Sequence, residues 1–412
     1  MLCLHLGPGR LGLGLIVDQL DEVRFSVCLV GSPDSDSKEQ TQFGLSFIDP
    51  DTGLEYRDVE WASNADTVED LPPDVLELVD GPEPLLLTCA LGEGIAARAD
   101  WLVELVRRRP DGAETVLLAC ENDLHEAYEQ LIRRAGDALK TYPCVVDRIC
   151  AWPSKTAIDD RGHRALISHP RDDQDRRVVS VHPIGEWIIS VADDVPATLS
   201  KLSEASLVTV THLDNAGFKA RKLWSVNGVH MVLALIARRE GVDILPLEGA
   251  YEQAFLTLAG PLMRQISAGV AGLWPEIPVE EEYASARIAA FVESPDETAR
   301  ILERHLVRTD LRPFMRRLDR RLGEAARAAQ AAGQDCEPFY QAMALVVAVL
   351  SDLTRYYADD GQPLDRTVDE QVIDLFARVL ERWLDGERAS DLLATLRRAL
   401  RGHHSVGSSP GE

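Results

Sequence analysis

The pattern G-x-G-x-x-G near the N-terminus constrains the fold more than any other feature of this chain. Its glycines, Gly7, Gly9 and Gly12, directly follow an apolar run at Leu2–Leu6 that predicts a buried strand, and a helical pattern at Leu11–Leu20 continues from them. In this context the first glycine permits a tight turn, the second lets the backbone approach a pyrophosphate, and the third lets the helix pack closely on the strand. The helix N-terminus adds unpaired N–H groups and the positive end of the helix dipole. The pattern therefore predicts a Rossmann-type domain that binds a dinucleotide.

The residues after the second predicted strand bear on which dinucleotide binds. The acidic residue expected about 20 positions after the glycine turn is absent, and Gly31-Ser32 stands there instead. Without a carboxylate a ribose 2′-phosphate is not repelled, and Ser32 or Lys38 could contact it. Equally, Asp34 could bind the 2′-hydroxyl of NAD. The sequence leaves NAD and NADP open.

The distribution of strand and helix patterns predicts two domains. Strands are predicted at Leu2–Leu6, Arg24–Val30, Leu85–Thr88, Thr115–Ala119, Cys144–Ile149, Arg177–Val181 and Trp187–Val191, and intervening helices at Leu11–Leu20, Gly94–Arg109 and Leu124–Ala135. This alternation is typical of a parallel sheet with right-handed crossovers, whereas from Gly217 onward only helical patterns occur. We expect an α/β Rossmann-type domain over residues 1–195, an all-α domain over residues 196–401 and a disordered tail at residues 402–412.

Charge and cysteine content limit the class of partner. The 412 residues include 43 Lys and Arg against 68 Asp and Glu, a net charge of −25. Such a surface repels phosphate backbones and anionic lipid, so we expect neither nucleic acid nor membrane as a partner. The seven cysteines form no Cys-x-x-Cys pair and lie mostly in apolar segments. This pattern is typical of reduced thiols in a cytoplasmic protein and gives no support for a zinc site.

Three polar residues interrupt an apolar helical run in the second half: Lys222, Asn227 and His230. At ~100° per residue, Asn227 lies ~140° and His230 ~80° around an α-helix from Lys222, so all three share one broad face. A carbonyl–alcohol redox centre needs such a set, namely a proton carrier and donors that polarise the carbonyl. Spacing alone, however, favours a solvated lysine and a core histidine with satisfied hydrogen bonds.

Motifs in a fixed order along the chain indicate a known family. They are LHLGPGRLGLG at Leu4–Gly14, TCALG at Thr88–Gly92, ACEN at Ala119–Asn122, VDRI at Val146–Ile149, EW at Glu186-Trp187, and K-x4-N-G-x-H from Lys222 to His230. In these motifs the chain resembles the polyol-specific long-chain dehydrogenases, the mannitol dehydrogenase family. Its length is nearer the family's mannitol-1-phosphate 5-dehydrogenases than the longer polyol enzymes. It departs from the family in the glycine loop, where Arg10 and Leu13 replace the usual Asn and Arg.

The resemblance implies a role for each matching residue. Lys222 corresponds to the general acid/base, whose pKa would have to fall from ~10.4 towards neutrality. Asn227 and Asn122 correspond to amides that donate to the substrate oxygen, and His230 to a residue that orients it. The family works without a metal. The implied cofactor-binding residues are Gly7, Gly9, Arg10, Leu11, Gly12, Ser32, Ala90 and Asn122, and the implied substrate-binding residues are Asp147, Arg148, Arg316 and Arg317.

The expected function is reversible hydride transfer between NAD(P)H and a ketose or ketose phosphate, giving a polyol or polyol phosphate, in a monomer or homodimer. Two alternatives remain: an enzyme like the β-hydroxyacid dehydrogenases acting on a sugar acid, and a non-catalytic dinucleotide-binding sensor. Arginines recur every four residues from Arg304 to Arg320. They form either an anion pocket or a salt-bridged solvent face.

Overall fold

A computed structural model describes most of the chain: residues 1–7, 9–31, 42–47, 54–63, 65–91, 94–120, 126–151, 154–158, 164–168, 172, 176–192, 194–239, 244–245, 250–279, 283, 286–287, 296–297, 312–359, 374, 376–381 and 386–404. The chain divides into two compact units. The first comprises Met1–Ala157 and Leu166–Lys219, and the second comprises Ile158–Ala165 and Ala220–Glu412.

The first unit contains most of the strands. Its strands are β1 (Leu2–Leu6), β2 (Ser26–Gly31), β3 (Gln42–Phe47), β4 (Leu54–Asp58), β5 (Glu60–Ser63), β6 (Leu85–Cys89), β7 (Thr115–Ala119), β8 (Lys140–Ala151), β11 (Val178–Ser190) and β12 (Val208–Thr211), and the short strands β9 (Ser154–Ile158) and β10 (Arg164–Ser168) pair with each other. Its helices are a π-helical segment, π1 (Gly12–Val17), followed by α1 (Asp18–Glu22), α2 (Pro73–Asp80), α3 (Ile95–Arg108), α4 (Glu126–Ala135) and α5 (Ala197–Leu202).

The sheet has the strand order of a dinucleotide-binding fold. Six parallel strands lie in the order β5-β2-β1-β6-β7-β8, and the sheet continues through β11, β3 and β4, with β12 also paired to β11. Numbered among themselves, the six follow the 3-2-1-4-5-6 order of the Rossmann fold, whose order reverses between β1 and β6. This order confirms the predicted Rossmann-type α/β fold.

Continuous apolar strands explain why this sheet is buried on both faces. All five residues of β1, β6 and β7 are buried, as expected for parallel strands covered on both sides. One core cluster, on one face of the sheet, includes Leu13, Ile16 and Val179. A second cluster, on the other face of the same strands, includes Leu4 and Leu102. Helices on both faces are therefore required to exclude water.

Several details differ from the sequence-based expectation. β11 is one strand where two were predicted, because its register shifts between Val181 and Gly185 and the apolar pattern is interrupted there. β3, β4 and β5 were not predicted, since their polar residues mask a strand pattern. The first compact unit runs on to Lys219 and includes β12, which pairs in parallel with β11, while the domain boundary predicted at residue 195 stays a prediction.

Where the structure describes it, the second unit is helical apart from the short strands β13 and β14 and the ends of β9 and β10. Its elements are α6 (Asn215–Arg221, which begins in the first unit), π2 (Lys222–Gly228), α7 (Val229–Arg239), β13 (Ile244–Leu245), α8 (Ala250–Leu273), β14 (Asp296–Glu297), α9 (Arg312–Leu318), π3 (Asp319–Gly323), α10 (Glu324–Ala331), α11 (Glu337–Asp359) and α12 (Gly386–His404). The strands β13 and β14 correct the expectation of no strand after Gly217. Residues 402–404, expected in a disordered tail, belong to α12, and the rest of that tail lies outside the described residues. Within the described part of the chain, none of the helices has the length and apolar character needed to cross a membrane.

Candidate functional site

The glycine turn has the backbone geometry that its sequence predicts. Gly7 has a φ of +99°, which favours glycine, and a Cβ there would lie 2.4 Å from the carbonyl oxygen of Ala90. The Gly9 N–H donates to the Gly7 carbonyl (2.7 Å), and the Gly9 carbonyl accepts from the Leu13 N–H (2.9 Å) as the helix begins. The chain therefore reverses tightly between strand and helix.

The second and third glycines of the turn have different surroundings. At Gly9 a Cβ would meet nothing closer than the Gly7 oxygen at 3.9 Å, so this side of the turn is open. At Gly12 a Cβ would lie 2.4 Å from His5 Nε2 and 2.5 Å from the Gly7 oxygen. The open face at Gly9 suits the approach of a phosphate, and Gly12 allows the close helix–strand packing, as the motif requires.

Ala90 lies beside the glycine turn, at the point where the strand order reverses. It follows β6 directly, and its N–H donates to the Leu6 carbonyl at the end of β1 (2.8 Å). Because the strand order reverses between β1 and β6, the turn lies at the topological switch point, where ligands bind in open α/β sheets. Of the other predicted cofactor residues, Arg10 and Leu11 are half-buried at the start of the helix, and Ser32 and Asn122 lie outside the described residues.

A buried polar residue that sequence reasoning did not single out lies beneath the turn. His5 Nδ1 is 2.8 Å from Thr88 Oγ1, and its Nε2 is 3.2 Å from the Gly7 carbonyl oxygen. Burial lowers the pKa of His5 from 6.5 to about 4, and the hydrogen bond to Gly7 raises it in part. The available signal was a histidine in the otherwise apolar strand LCLHL.

The structure places Arg148 in a buried ion pair. Its side chain is 3% exposed, and its Nη1 donates to Asp18 Oδ2 (2.7 Å) and to the Gly14 carbonyl (2.6 Å). Its Nε donates to the His182 carbonyl (2.7 Å), and Arg57 binds the other oxygen of Asp18 (3.0 Å). These contacts join π1, α1, β4, β8 and β11. They give Arg148 a packing role, and its predicted contact with substrate stays a prediction.

Asp147 precedes Arg148 in β8, so its side chain points to the opposite face of the sheet. That side chain is buried, and Asp147 pairs across the strands with Glu186. Its predicted contact with substrate stays a prediction.

Lys222 lies in a π-helical segment, not in the α-helix assumed from the sequence. Its side chain is 8% exposed, while Asn227 and His230 are half-buried. The i→i+5 hydrogen bonds of a π-helix put more residues in each turn than an α-helix holds, so Asn227 lies more nearly above Lys222 than the ~140° calculated for an α-helix. Such segments frequently occur at functional sites. Lys222 and Asn227 are therefore separated by a smaller angle around the helix axis than the sequence predicts.

The segment π2 packs against π3 through Gly228. A Cβ on Gly228 would lie 3.2 Å from both the Arg321 carbonyl oxygen and Leu322 Cδ2. This close approach explains the glycine of the N-G-x-H motif. The arginine-rich helix α9, which directly precedes π3, belongs to the same unit as Lys222. In α9, Arg316 is exposed and Arg317 is half-buried. Arg304 and Arg308 lie outside the described residues.

A groove of about 1190 Å³ in the first unit is separate from the glycine turn. It is lined by Ser26 and Val27 at the start of β2, by Glu60 at the start of β5, and by Asp18 and Arg57. Because β2 and β5 run parallel to β1, the groove lies at the N-terminal ends of the strands, whereas the turn lies at their C-terminal ends. We do not assign the dinucleotide to this groove. In the part of the chain that the structure describes, no three His, Cys, Asp or Glu side chains gather as a metal site.

Comparisons with known proteins support the fold. No family model matches the chain, and no curated protein does. Among solved structures, D-sorbitol dehydrogenase in substrate-free form is similar with a TM-score of 0.59 and 16% identity, over 85% of this chain and 80% of that one. The ternary complex of Pseudomonas fluorescens mannitol 2-dehydrogenase with NAD and D-mannitol has a TM-score of 0.58 and 14% identity, over 98% of this chain and 92% of that one. The chain thus has the fold of two polyol dehydrogenases, as its motifs predict.

Proposed function

We propose that this chain is an NAD(P)-dependent oxidoreductase that interconverts a polyol, or polyol phosphate, and the corresponding ketose or ketose phosphate. The observation that carries the proposal is the glycine turn at the switch point between β1 and β6, with an open face at Gly9. The fold shared with D-sorbitol dehydrogenase and with mannitol 2-dehydrogenase supports the substrate class.

The turn fits a nicotinamide dinucleotide by its backbone. Gly9 leaves room for a pyrophosphate, and the helix that follows offers N–H groups to it. A bound nicotinamide would accept or donate the hydride. Gly7, Gly9, Arg10, Leu11, Gly12 and Ala90 are the described residues that we assign to cofactor binding, together with Ser32 and Asn122 from the sequence.

The remaining chemistry is assigned to side chains of the second unit and to Asn122. We assign to Lys222 the transfer of the alcohol proton, which a buried amine can hold or release beside substrate. Asn227, aligned with it by π2, donates a hydrogen bond to the substrate oxygen, as does Asn122, and His230 orients that oxygen. We keep Arg316 and Arg317 as substrate-binding candidates, since they are charged and at least partly accessible in the unit that holds Lys222.

Steady-state oxidation of NADH and of NADPH, measured against a panel of ketoses, ketose phosphates and keto-acid sugars, tests the proposal. Turnover with a ketose or its phosphate is expected. Turnover restricted to keto acids would contradict the substrate class. Cofactor binding with no turnover on any member of the panel would indicate a sensor.

Gly9→Val is expected to weaken cofactor binding by about tenfold to a hundredfold. The valine side chain would occupy the open face and remove one or more backbone hydrogen bonds to phosphate, each worth ~1.5–3 kcal/mol. Fluorescence titration with NADH and NADPH measures the change. Gly260→Ala is the control, because a Cβ there meets nothing closer than 3.7 Å. Equal affinity of Gly9→Val and the wild type would refute binding at this turn.

NADPH is expected to be accepted by the wild type, because no acidic residue stands at Ser32. Ser32→Asp should shift the ratio of affinities towards NADH by at least about tenfold, since a carboxylate repels the 2′-phosphate. The dissociation constants of both cofactors for both proteins measure this shift. A wild type that favours NADH by more than about a thousandfold (~4 kcal/mol) would show that another acid, such as Asp34, binds the ribose.

A further inference from the structure

His5 fills the space between the end of β1 and the start of the helix that follows the glycine turn. It is fully buried, and its ring approaches two of the three motif glycines. Its Nε2 is 3.2 Å from the Gly7 carbonyl oxygen and 2.4 Å from where a Cβ on Gly12 would stand. The ring therefore packs directly beneath the glycine turn.

The chemistry of its neighbours fixes which ring nitrogen carries the hydrogen. A backbone carbonyl only accepts hydrogen bonds, so Nε2 must donate to the Gly7 oxygen. Burial keeps the ring neutral at pH 7, since the pKa of His5 falls to about 4. The other nitrogen, Nδ1, then accepts from the Thr88 hydroxyl at 2.8 Å.

Thr88 and Cys3 complete a directed chain of hydrogen bonds. Cys3 Sγ lies 3.6 Å from Thr88 Oγ1. Because the Thr88 hydroxyl donates to His5, its oxygen is left to accept from the Cys3 thiol. Each member points its donor towards the turn, and strand β6, which carries Thr88, is the strand that Ala90 follows. The ring orientation is thus set from the neighbouring strand.

The Gly7 carbonyl receives two donors. It accepts from the Gly9 N–H at 2.7 Å and from His5 at 3.2 Å, which uses both lone pairs of a carbonyl oxygen. The peptide plane after Gly7 is consequently held from inside the fold. That plane leads to Gly9, whose open face is the assigned phosphate contact.

We propose that His5 is a positioning residue for dinucleotide binding, which holds the glycine turn in its binding geometry through the hydrogen bond from Nε2 to the Gly7 carbonyl. This inference rests on the proposed function. His5 itself does not touch the cofactor, because the turn covers it.

Three substitutions of His5 distinguish the effect of its hydrogen bond to the Gly7 carbonyl from the effect of side-chain packing. His5→Leu removes both hydrogen bonds, and His5→Asn keeps an acceptor near Nδ1 but loses the donor at Nε2. His5→Gln keeps an amide donor near Nε2. Loss of one hydrogen bond is worth ~0.5–1.5 kcal/mol, so His5→Leu and His5→Asn should raise the dissociation constant for NADH or NADPH by up to about tenfold. His5→Gln should stay within about threefold of the wild type.

The outcomes are distinguishable. If the wild type binds neither cofactor, the proposed function fails. If the wild type binds and all three folded variants bind equally well, or all three weaken equally, the positioning role is overturned. With a substrate identified, the KM for cofactor should rise in His5→Asn while kcat changes little.

A measurement on the wild type keeps the inference testable if a variant fails to fold. Imidazole ¹⁵N NMR of histidine-labelled protein at pH 7, assigned through His5→Gln or by elimination among the ten histidines, reads the tautomer directly. The expected result is a hydrogen on Nε2 and none on Nδ1. The opposite tautomer, or a charged ring, would overturn the inference.

Discussion

Lys222→Ala is expected to lower turnover by a factor of about 10²–10⁴, the usual cost of losing a general acid/base. The pH dependence that the proton carrier imposes on the rate should disappear with it. Cofactor affinity should stay near that of the wild type, because the glycine turn is unchanged. Steady-state kinetics from pH 6 to pH 10 on the best substrate, with NADH or NADPH titration alongside, measures all three quantities.

Lys219→Ala is the matched control. This lysine lies three residues earlier in α6 and is half-buried, so its loss tests for damage to the helix without removing the assigned proton carrier. Small primary amines should partly restore the activity of Lys222→Ala and not that of the wild type. Near-normal turnover of Lys222→Ala would show that the proton carrier lies elsewhere.

Asn227→Ala distinguishes polarisation of the substrate from proton transfer. Loss of one donor to a developing oxyanion costs ~10²–10³ in rate. The pH profile of this variant should keep the shape of the wild-type profile, whereas that of Lys222→Ala should not. Loss of the pH dependence in both variants would mean that the two side chains act as one unit.

Arg148→Met is expected to lower the free energy of unfolding of the first unit by about 3–5 kcal/mol. The substitution leaves Asp18 buried with Arg57 as its remaining cation and a Gln19 amide donor, and it removes the donors to the Gly14 and His182 carbonyls. Breaking a buried ion pair costs this much because one charge stays desolvated. Urea unfolding followed by circular dichroism measures the effect.

Arg134→Met is the control for Arg148→Met, since its ion pair with Asp100 is exposed and should be worth less than ~1 kcal/mol. The double variant Arg148→Met/Asp18→Asn should recover part of the loss, because both charges are then removed. Full stability of Arg148→Met would contradict this expectation, and a raised KM for substrate would support the substrate contact predicted from the sequence.

The glycine turn shows what local sequence can predict. Gly7 requires a positive φ, Gly12 requires the absence of a Cβ, and Gly9 leaves one side of the turn open, all within about ten residues of chain. The parallel strands were predictable for a similar reason, since burial on both faces demands uninterrupted apolar runs such as LLLTC. A structural requirement that is met by residues close together in the chain can therefore be predicted from the sequence.

The ion pair of Arg148 shows what local sequence cannot predict. An aspartate and an arginine inside a strand look functional, and the two acceptors of Arg148 Nη1 are 130 and 134 residues away. Likewise β3 and β4 pair with each other and with β11, so their stability comes from distant strands. The angle between Lys222 and Asn227 differs from the ~140° of an α-helix because this segment is π-helical.

The π-helical segment that begins at Lys222 holds more residues per turn than the α-helix on either side. A single residue advances an α-helix by ~100°, and the π-helical segment takes up one such residue without that advance. Were the same residues wound as a regular α-helix, His230 would turn through about a quarter of a circle relative to Lys222, whereas deleting one residue would let a regular α-helix form with His230 near its present angle. The alignment of Lys222 with the residues that follow thus depends on how this segment is wound as well as on the identity of its residues.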